Sequence, residues 1–344
     1  MMSGTSLDGI DIACCRFSGD FENLQWNIAA AETIPYPVAW KAKLSTAQDL
    51  PGAELAKLDF DYGRLLGSLA KSFMARHNLK PDFLASHGHT ILHQPLQAYT
   101  LQIGHGGAIA AEAKEIVVCD FRSLDVALGG QGAPLVPIGD RLLFGAYSAC
   151  LNLGGFSNIS FEDNGNRFAF DICPVNIALN HFAQNLGYDY DKDGQIAASG
   201  IINADLLKKL NALDYYNSPP PKSLGREWVE KKFIPIINGF KIAVPDVLRT
   251  LTEHVAIQIQ NSSQTINPGK MLVTGGGAEN SFLMLRLKAI TNHEIVIPDK
   301  KLLHFKEALI FALLGLLRLE NRVNTLATVT GASHDSCGGC IYHF

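Results

Sequence analysis

No apolar run in this chain approaches the ~20 residues that a membrane-spanning helix needs. The longest, ALIFALLGLL at 308–317, falls far short. A basic opening segment is also missing. Asp8 and Asp11 arrive at once, which argues against a secretory signal. Positive charge is not in excess: Lys and Arg total 29 against 33 Asp and Glu, a net charge of −4. Neither a general nucleic-acid binder nor a partner for anionic membrane is expected from that balance. Cysteine is sparse, scattered and odd in number, seven in 344 residues. That usage fits reduced thiols in a cytoplasm better than a disulfide framework. There is no GxxxxGK[ST], so this is no Walker-A NTPase, and no GxGxxG stands between a strand and a helix.

What is present is ordinary globular material, 47% hydrophobic and 18% charged, long enough for about two domains of roughly 100–200 residues. IDIACCRF (10–17) and WNIAAAETIPY (26–36) read as strands. From Gly52 to Asn78 apolar residues recur at helical spacing, predicting one long helix. FLASHG (83–88), IVVCDFR (116–122), ACLNLGGFSN (149–158) and MLVTGGGAEN (271–280) share one design, a buried strand ending in a small polar loop. That is the habit of α/β proteins, whose ligand crevice lies beyond the carboxyl ends of the strands. Residues 176–188, 201–213, 246–261 and 306–319 look helical. The Pro-rich NSPPPKSLGREW (217–228) reads as a surface excursion. SGTSLDG near the start and GGFSNIS (154–160) echo each other as small-residue turns beside strands, as two similar halves would each supply to a phosphate site.

Three kinds of residue could carry chemistry. Gly4, Gly154, Gly155 and Gly275 to Gly277 lie in loops at strand ends, where bare amides can meet a phosphate; the plainer alternative is that they only turn the chain. Asp171 follows an aromatic strand and precedes Pro174, well placed to take a proton or to cap the next helix. Asp120 and Asp140 are similar acids. His87, His89 and His93 in HGHTILH could hold zinc or make polar contacts to a ligand. Cys337 and Cys340 form a lone CxxC, a weak redox or zinc signal.

MSGTSLDGID, SHGHTILHQP, DFRSLDVALGGQGAPLVPIGD, NLGGFSNIS, the Asp171 segment, TGGGAENSFL, KEALIFALL and TVTGA, in this order, resemble the anhydro-N-acetylmuramic acid kinases over essentially the whole chain. The resemblance implies an α/β fold of two ribonuclease-H-like (actin-like ATPase) domains around a central nucleotide cleft, spanning 1–140 with 328–344, and 141–327. It implies ATP and Mg²⁺ as cofactors, a small sugar as substrate and a cytoplasmic homodimer. Asp171 matches the catalytic position. Gly4, Thr5, Ser6, Leu7, Asp8, Gly9, Ile10 and Asp11, with Gly154, Gly155, Ser157 and Asn158, match the phosphate turns, and Gly275, Gly276 and Gly277 the nucleoside loop. Arg122, Glu307, Thr90 and His93 match positions facing the sugar; no metal ligand is assigned. The chain departs from the family at DICPVN, where Cys173 and Val175 stand in place of glycines and a tighter pocket or a different backbone is expected. A kinase for another 1,6-anhydro sugar such as levoglucosan, a non-sugar actin- or chaperone-like ATPase and a zinc hydrolase are the competing readings. Related proteins run a full strand into the opening turn. The first sheet is therefore expected to lack most of that strand, leaving a gap or a loosely held turn, as if opening residues were missing.

Overall fold

The computed structural model describes residues 1–4, 7, 9–220 and 222–344. It divides into two compact units, Met1–Leu143 with Phe305–Phe344, and Phe144–His304. In the first unit, β1 (Met2–Ser3), β2 (Gly9–Ser18) and β3 (Gln25–Pro35) form an antiparallel sheet with β2 in the middle. β1 has two residues, as short as the sequence predicts, yet it leaves no gap; the turn expected to be loosely held falls on Thr5, Ser6 and Asp8, outside the described residues. Met2 pairs with Asp11 and Ser3 with Ile10, and Met1 is buried. The Met1 amino group donates to Ala85 O at 2.7 Å, and Met1 O accepts from His87 N at 3.1 Å. These two bonds tie β1, in the parallel sense, to β4 (Leu84–Ser86). The Ser3 hydroxyl reaches Tyr36 and His89 Nδ1, the latter at 2.9 Å, and Tyr36 in turn meets Tyr62. A chain of buried polar groups that satisfy one another fixes the short strand where length alone cannot.

After β4 come the hairpin β5 (His89–Gln94) and β6 (Tyr99–Ile103), then β7 (Val117–Cys119), parallel to β4 and flanked by the C-terminal strand Cys340–Tyr342. Omitting the hairpin, the main sheet runs β3-β2-β1-β4-β7. Helix Gly52–His77 covers it with Leu58, Tyr62, Leu66, Ala70 and Phe73, the expected apolar stripe, and ends on Asn78 in the left-handed conformation. Gly63 and Gly67 on this helix are required by close approach. A Cβ on Gly63 would sit 2.7 Å from His105 O, and one on Gly67 2.9 Å from Ile109 O, both belonging to the start and middle of helix Gly106–Ala113.

The second unit repeats the plan. β8 (Ala149–Leu153), β9 (Phe156–Asp163) and β10 (Asn166–Pro174) form an antiparallel meander. β11 (Lys270–Thr274) adds in parallel to β8, and β12 (Glu294–Val296) to β11. The order β10-β9-β8-β11-β12 is again third, second, first, fourth, fifth, the ribonuclease-H-like order. Its core gathers Leu151, Ile159, Phe182, Leu206, Phe233 and the buried face of helix Val244–Ser263.

Helix Lys300–Leu319 kinks at Phe305, and the chain rejoins the first unit there rather than near residue 328. The reason lies in its next residues. Lys306 forms a buried ion pair with Asp140 at 2.7 Å, and Phe311 packs on His87 and Phe121. Replacing Lys306 with Met removes this cation from buried Asp140, a change that costs about 3 kcal/mol for a buried ion pair. Urea titration should show that loss, and the double variant Lys306→Met/Asp140→Leu should recover most of it. A single-variant loss well under ~1 kcal/mol would contradict this account.

Candidate active site

In the second unit, strand register builds the site. Asp171 on β10 faces Asn158 on β9, Asn158 faces Asn152 on β8, and Asn152 faces Thr274 on β11. Directly paired residues lie on one face of a sheet, so one polar row crosses four strands at the carboxyl ends of β8 and β11. Beside it lie the two glycine loops. Gly275 has φ +83, and a Cβ there would come within 2.5 Å of Asn152 Oδ1 and 2.8 Å of the Leu153 carbonyl carbon; one on Gly277 would meet Leu153 Cβ at 2.8 Å. Only glycine lets this loop lie against the end of β8. Gly154 O accepts from Asn176 N at 3.2 Å, Gly155 O accepts from Val175 N at 2.8 Å and Ile177 N at 3.2 Å, and Asn176 Nδ2 donates to Leu153 O at 3.3 Å. The Gly154–Gly155 turn, the Gly275–Gly277 loop and the start of helix Asn176–Gln184 are thus packed together. Thr274 Oγ1 is buried among them with no hydrogen-bond partner among the described residues, a state rare for a buried hydroxyl.

Ser157 is fully buried, and its hydroxyl bonds the Cys173 backbone N and O, each at 3.2 Å. It thereby braces the bulge that β10 makes between Asp171 and Cys173. Cys173 and Val175, the two residues at which the chain departs from the family, do not line an open surface. Both side chains are fully buried in the core of this unit, and Val175 has φ −122, which any residue can adopt. The extra atoms fill the interior.

Asp171 is held by the Pro-rich surface excursion and the residues just before it. Leu224 N donates to Asp171 Oδ2 at 2.9 Å, Asp171 N donates to Lys222 O at 3.2 Å, and the Tyr215 hydroxyl donates to Asp171 O at 2.6 Å. Among the described residues no cation pairs with the carboxylate. Loss of hydration pushes its pKa up to about 6, against the opposing Leu224 amide. The phenol of Tyr215 is pushed above its ordinary value by burial and then by the neighbouring Asp171 charge.

In the first unit, the three histidines of HGHTILH do not converge. His87 donates from Nδ1 to Gly88 O, leaving Nε2 to accept from Arg122 Nε at 3.1 Å and Nη2 at 2.8 Å. Burial, and then Arg122, hold His87 well below its ordinary pKa, so it is a neutral acceptor of fixed tautomer. His89 belongs to the Ser3 network, and burial lowers it to about 4. His93 Nδ1 meets Thr100 Oγ1 at 3.0 Å, Thr100 accepts from Gln102 Nε2 at 2.8 Å, and Gln102 also reaches Thr90 Oγ1 at 3.4 Å. No three His, Cys, Asp or Glu side chains gather as metal ligands among the described residues.

The loop 129–135 joins these groups. Arg122 Nη1 donates to Gly132 O, and a Cβ on Gly132 (φ +66) would lie 3.4 Å from His93 Cε1 and 3.6 Å from Arg122 Cβ. Buried Asp125 braces the loop through Gly132 N and Thr330 Oγ1, both at 2.7 Å. Burial lowers the Arg122 pKa to about 10, opposed by Glu307 and Asp125. Glu307 feels Lys306, Arg122 and Asp11. Lost hydration raises its pKa, but the side chain stays open to solvent, which limits that shift. Thr90, His93, Arg122 and Glu307 are therefore brought into one neighbourhood.

Of the opening turn, Thr5, Ser6 and Asp8 lie outside the described residues. Leu7 N donates to Gly4 O at 3.4 Å, and Gly9, Ile10 and Asp11 begin β2, with Ile10 in the core. Asp11 Oδ1 accepts from Thr33 Oγ1 at 2.6 Å. The reading missed Asn152, Thr274, Asp125, Tyr215 and Leu224. A polar Asn inside the buried run CLNL was the signal for the first.

A family model described as anhydro-N-acetylmuramic acid kinase matches residues 1–344. Proteins of that name are similar to this chain: that of Coxiella burnetii (strain Dugway 5J108-111), 35% identical over 372 residues, 99% of this chain and 96% of that protein; that of Vibrio cholerae, 35% over 367 residues, 100% and 97%; and that of Pseudomonas fluorescens, 37% over 368 residues, 99% and 98%. Among solved structures, component A of the (R)-2-hydroxyglutaryl-CoA dehydratase of Acidaminococcus fermentans aligns with a TM-score of 0.42 and 12% identity, over 89% of this chain and 92% of that one.

The pKa of Asp171 makes a stability prediction. The folded value, about 6, exceeds the ordinary ~3.9 of an unfolded carboxylate. The fold holds the proton more tightly, so wild type loses stability as pH rises from about 4 to 6, and the full cost is present above that. Asp171→Asn removes the titration. Its stability relative to wild type should rise over that window by on the order of 2 kcal/mol, read from denaturant melts at pH 4.5 and 7.5. A difference independent of pH would contradict the environment described.

Proposed function

The chain belongs to the anhydro-N-acetylmuramic acid kinase family, and we propose that it opens the 1,6-anhydro bridge of anhydro-N-acetylmuramic acid with water while transferring the γ-phosphoryl of ATP to O6. The products are N-acetylmuramic acid 6-phosphate and ADP. That it is a carbohydrate kinase follows from the family. The observation that carries the finer reading is Asp171: a carboxylate at a strand end, held by backbone groups, with no counter-ion among the described residues, beside two glycine loops.

Such a group suits the reaction. Water must lose a proton as its oxygen bonds to the anomeric carbon, and a base works best when its pKa lies near the operating pH. A value near 6 leaves Asp171 ionised at neutrality yet more basic than an ordinary Asp. No protein acid is required for the departing O6, because phosphorus captures it. One base therefore serves both halves of the reaction.

The residues present fit a nucleotide. We assign the first turn, residues 4–11, and the Gly154–Asn158 turn to the phosphates, and Gly275–Gly277 to the nucleoside side. Bare glycine loops at strand ends and the unpartnered Thr274 hydroxyl support that assignment. ATP with Mg²⁺ supplies the phosphoryl group and the neutralisation of its charge. Arg122, kept cationic and aimed by neutral His87 and Gly132 O, is assigned with Glu307, Thr90 and His93 to the sugar. Cell-wall recycling by a cytoplasmic homodimer belongs to the same proposal.

Purified protein incubated with Mg-ATP should phosphorylate anhydro-N-acetylmuramic acid in preference to levoglucosan; turnover of levoglucosan alone would sink the reading. The rate should fall with one-proton slope below pH about 6, where Asp171 takes up its proton. Asp171→Asn should lose about 10²–10⁴-fold in kcat. If this variant kept full, sugar-independent ATP turnover, a non-sugar ATPase would be the better account.

A further inference from the structure

Tyr215 closes a ring of hydrogen bonds around Asp171, and no step of the proposed reaction uses it or its neighbour Tyr216. The Tyr215 hydroxyl donates to Asp171 O at 2.6 Å, and Lys222 Nζ donates to Tyr215 O at 3.2 Å. Lys222 O accepts from Asp171 N at 3.2 Å, and Leu224 N donates to Asp171 Oδ2 at 2.9 Å. Oδ1 has no hydrogen-bond partner among the described residues. Tyr216 is fastened from behind. Its hydroxyl meets His254 Nε2 at 2.9 Å, and His254 Nδ1 meets Asn211 Oδ1 at 2.6 Å. Asn211 Oδ1 also accepts from Gln258 Nε2 at 2.9 Å. An amide oxygen can only accept, so His254 carries its hydrogen on Nδ1 and its Nε2 accepts from Tyr216. His254 is fully buried, and burial lowers its pKa to about 3, so this tautomer holds near neutrality. Both tyrosine rings also pack on Trp228, with centroids 5.5 and 6.5 Å away.

We propose that Tyr215 and Tyr216, clamped by His254, are positioning residues that keep segment 215–224 closed over Asp171. Oδ2 then stays on the Leu224 amide, and Oδ1 is the oxygen that takes the proton of the attacking water. This rests on the function proposed above and names the parts that prepare its base. The closed segment keeps water off the carboxylate, and that loss of hydration, more than any charge, raises its pKa. The titratable groups packed around it are Tyr215, Cys173, Lys222 and, behind Tyr216, His254. Each is turned onto another partner: the Cys173 thiol onto Ser157 Oγ at 3.2 Å, the Lys222 ammonium onto Tyr215 O. A tyrosine that only fills space would leave the titration of Asp171 unmoved when its hydroxyl is removed.

Tyr215→Phe and Tyr216→Phe keep the rings against Trp228 and remove only the hydroxyls. The Asp171 carboxyl is titrated by NMR in protein labelled with ¹³C at the Asp carboxyl carbons, its signal identified by its absence from Asp171→Asn. The pH dependence of kcat with anhydro-N-acetylmuramic acid and Mg-ATP is measured alongside. We expect both variants to move the Asp171 midpoint from about 6 towards the ordinary ~3.9, by at least about half a unit. The acid limb of kcat should move with it. At neutral pH kcat should fall about tenfold, the size of one lost hydrogen bond, with KM for ATP little changed. Variants that lose stability or rate while midpoint and limb stay where they are in wild type would overturn the positioning role and leave the kinase reading standing. If wild type phosphorylates no anhydro sugar, the kinase reading falls and the proton role of Oδ1 with it, while the NMR midpoint still decides whether the tyrosines hold the segment closed.

Discussion

A carboxylate that is to act as a base near neutrality must be taken out of water without being handed a cation. A cation would lower its pKa and quench it; bulk water would leave it at an ordinary value. In the proposed reaction Asp171 meets this constraint through backbone groups and one neutral phenol: one amide on the carboxylate, one carbonyl on its own N–H and the Tyr215 hydroxyl on its own carbonyl. Much of the second unit serves that arrangement. The bulge after Asp171 is pinned by buried Ser157, the interior behind it is filled by Cys173 and Val175, and segment 215–224 is anchored by Tyr215 and Lys222.

The first unit solves the opposite problem, a cation that must stay charged and directed while partly buried. Arg122 donates to a histidine that cannot easily take a proton and to a loop carbonyl. Two neutral acceptors fix the planar guanidinium without neutralising it, and this leaves its charge for a ligand. The loop carbonyl is itself fixed by Asp125, Thr330 and the close approach of Gly132 to His93. His87 is thus committed to Gly88 O and Arg122, and among the described residues it does not converge with His89 and His93 as a zinc ligand.

Strands and helices were legible because their signals are local. The long helix of the first unit came within a residue of its end, and the strand–loop pairs fell where small polar residues follow apolar runs. The glycine loops were legible as loops; that Gly275 and Gly277 touch Leu153 was not, because the contact depends on the register of β11 against β8. Segment 217–228 lies at the surface as its composition predicts, but its contact with Asp171 was not legible, for a similar reason. Proline and serine mark it as irregular, but its bonds to Asp171 run across more than forty residues and leave no periodic trace. Asp140 showed its carboxylate but not its partner, since Lys306 lies far along the chain. The two-residue β1 looked too short to hold because pairing with β4 and the Ser3–Tyr36–His89 network are both non-local.

The central claim is that water, deprotonated at Asp171, enters at the anomeric carbon as O6 accepts phosphorus. The most direct test is mass spectrometry of the product formed from anhydro-N-acetylmuramic acid and Mg-ATP in ¹⁸O-water, quenched before the free anomeric hydroxyl exchanges. The account predicts one ¹⁸O on C1, an unlabelled phosphoryl group on O6 and one ADP per sugar opened. Label in released inorganic phosphate with the anhydro bridge intact, or a phosphorylated sugar with no label at C1, would contradict it.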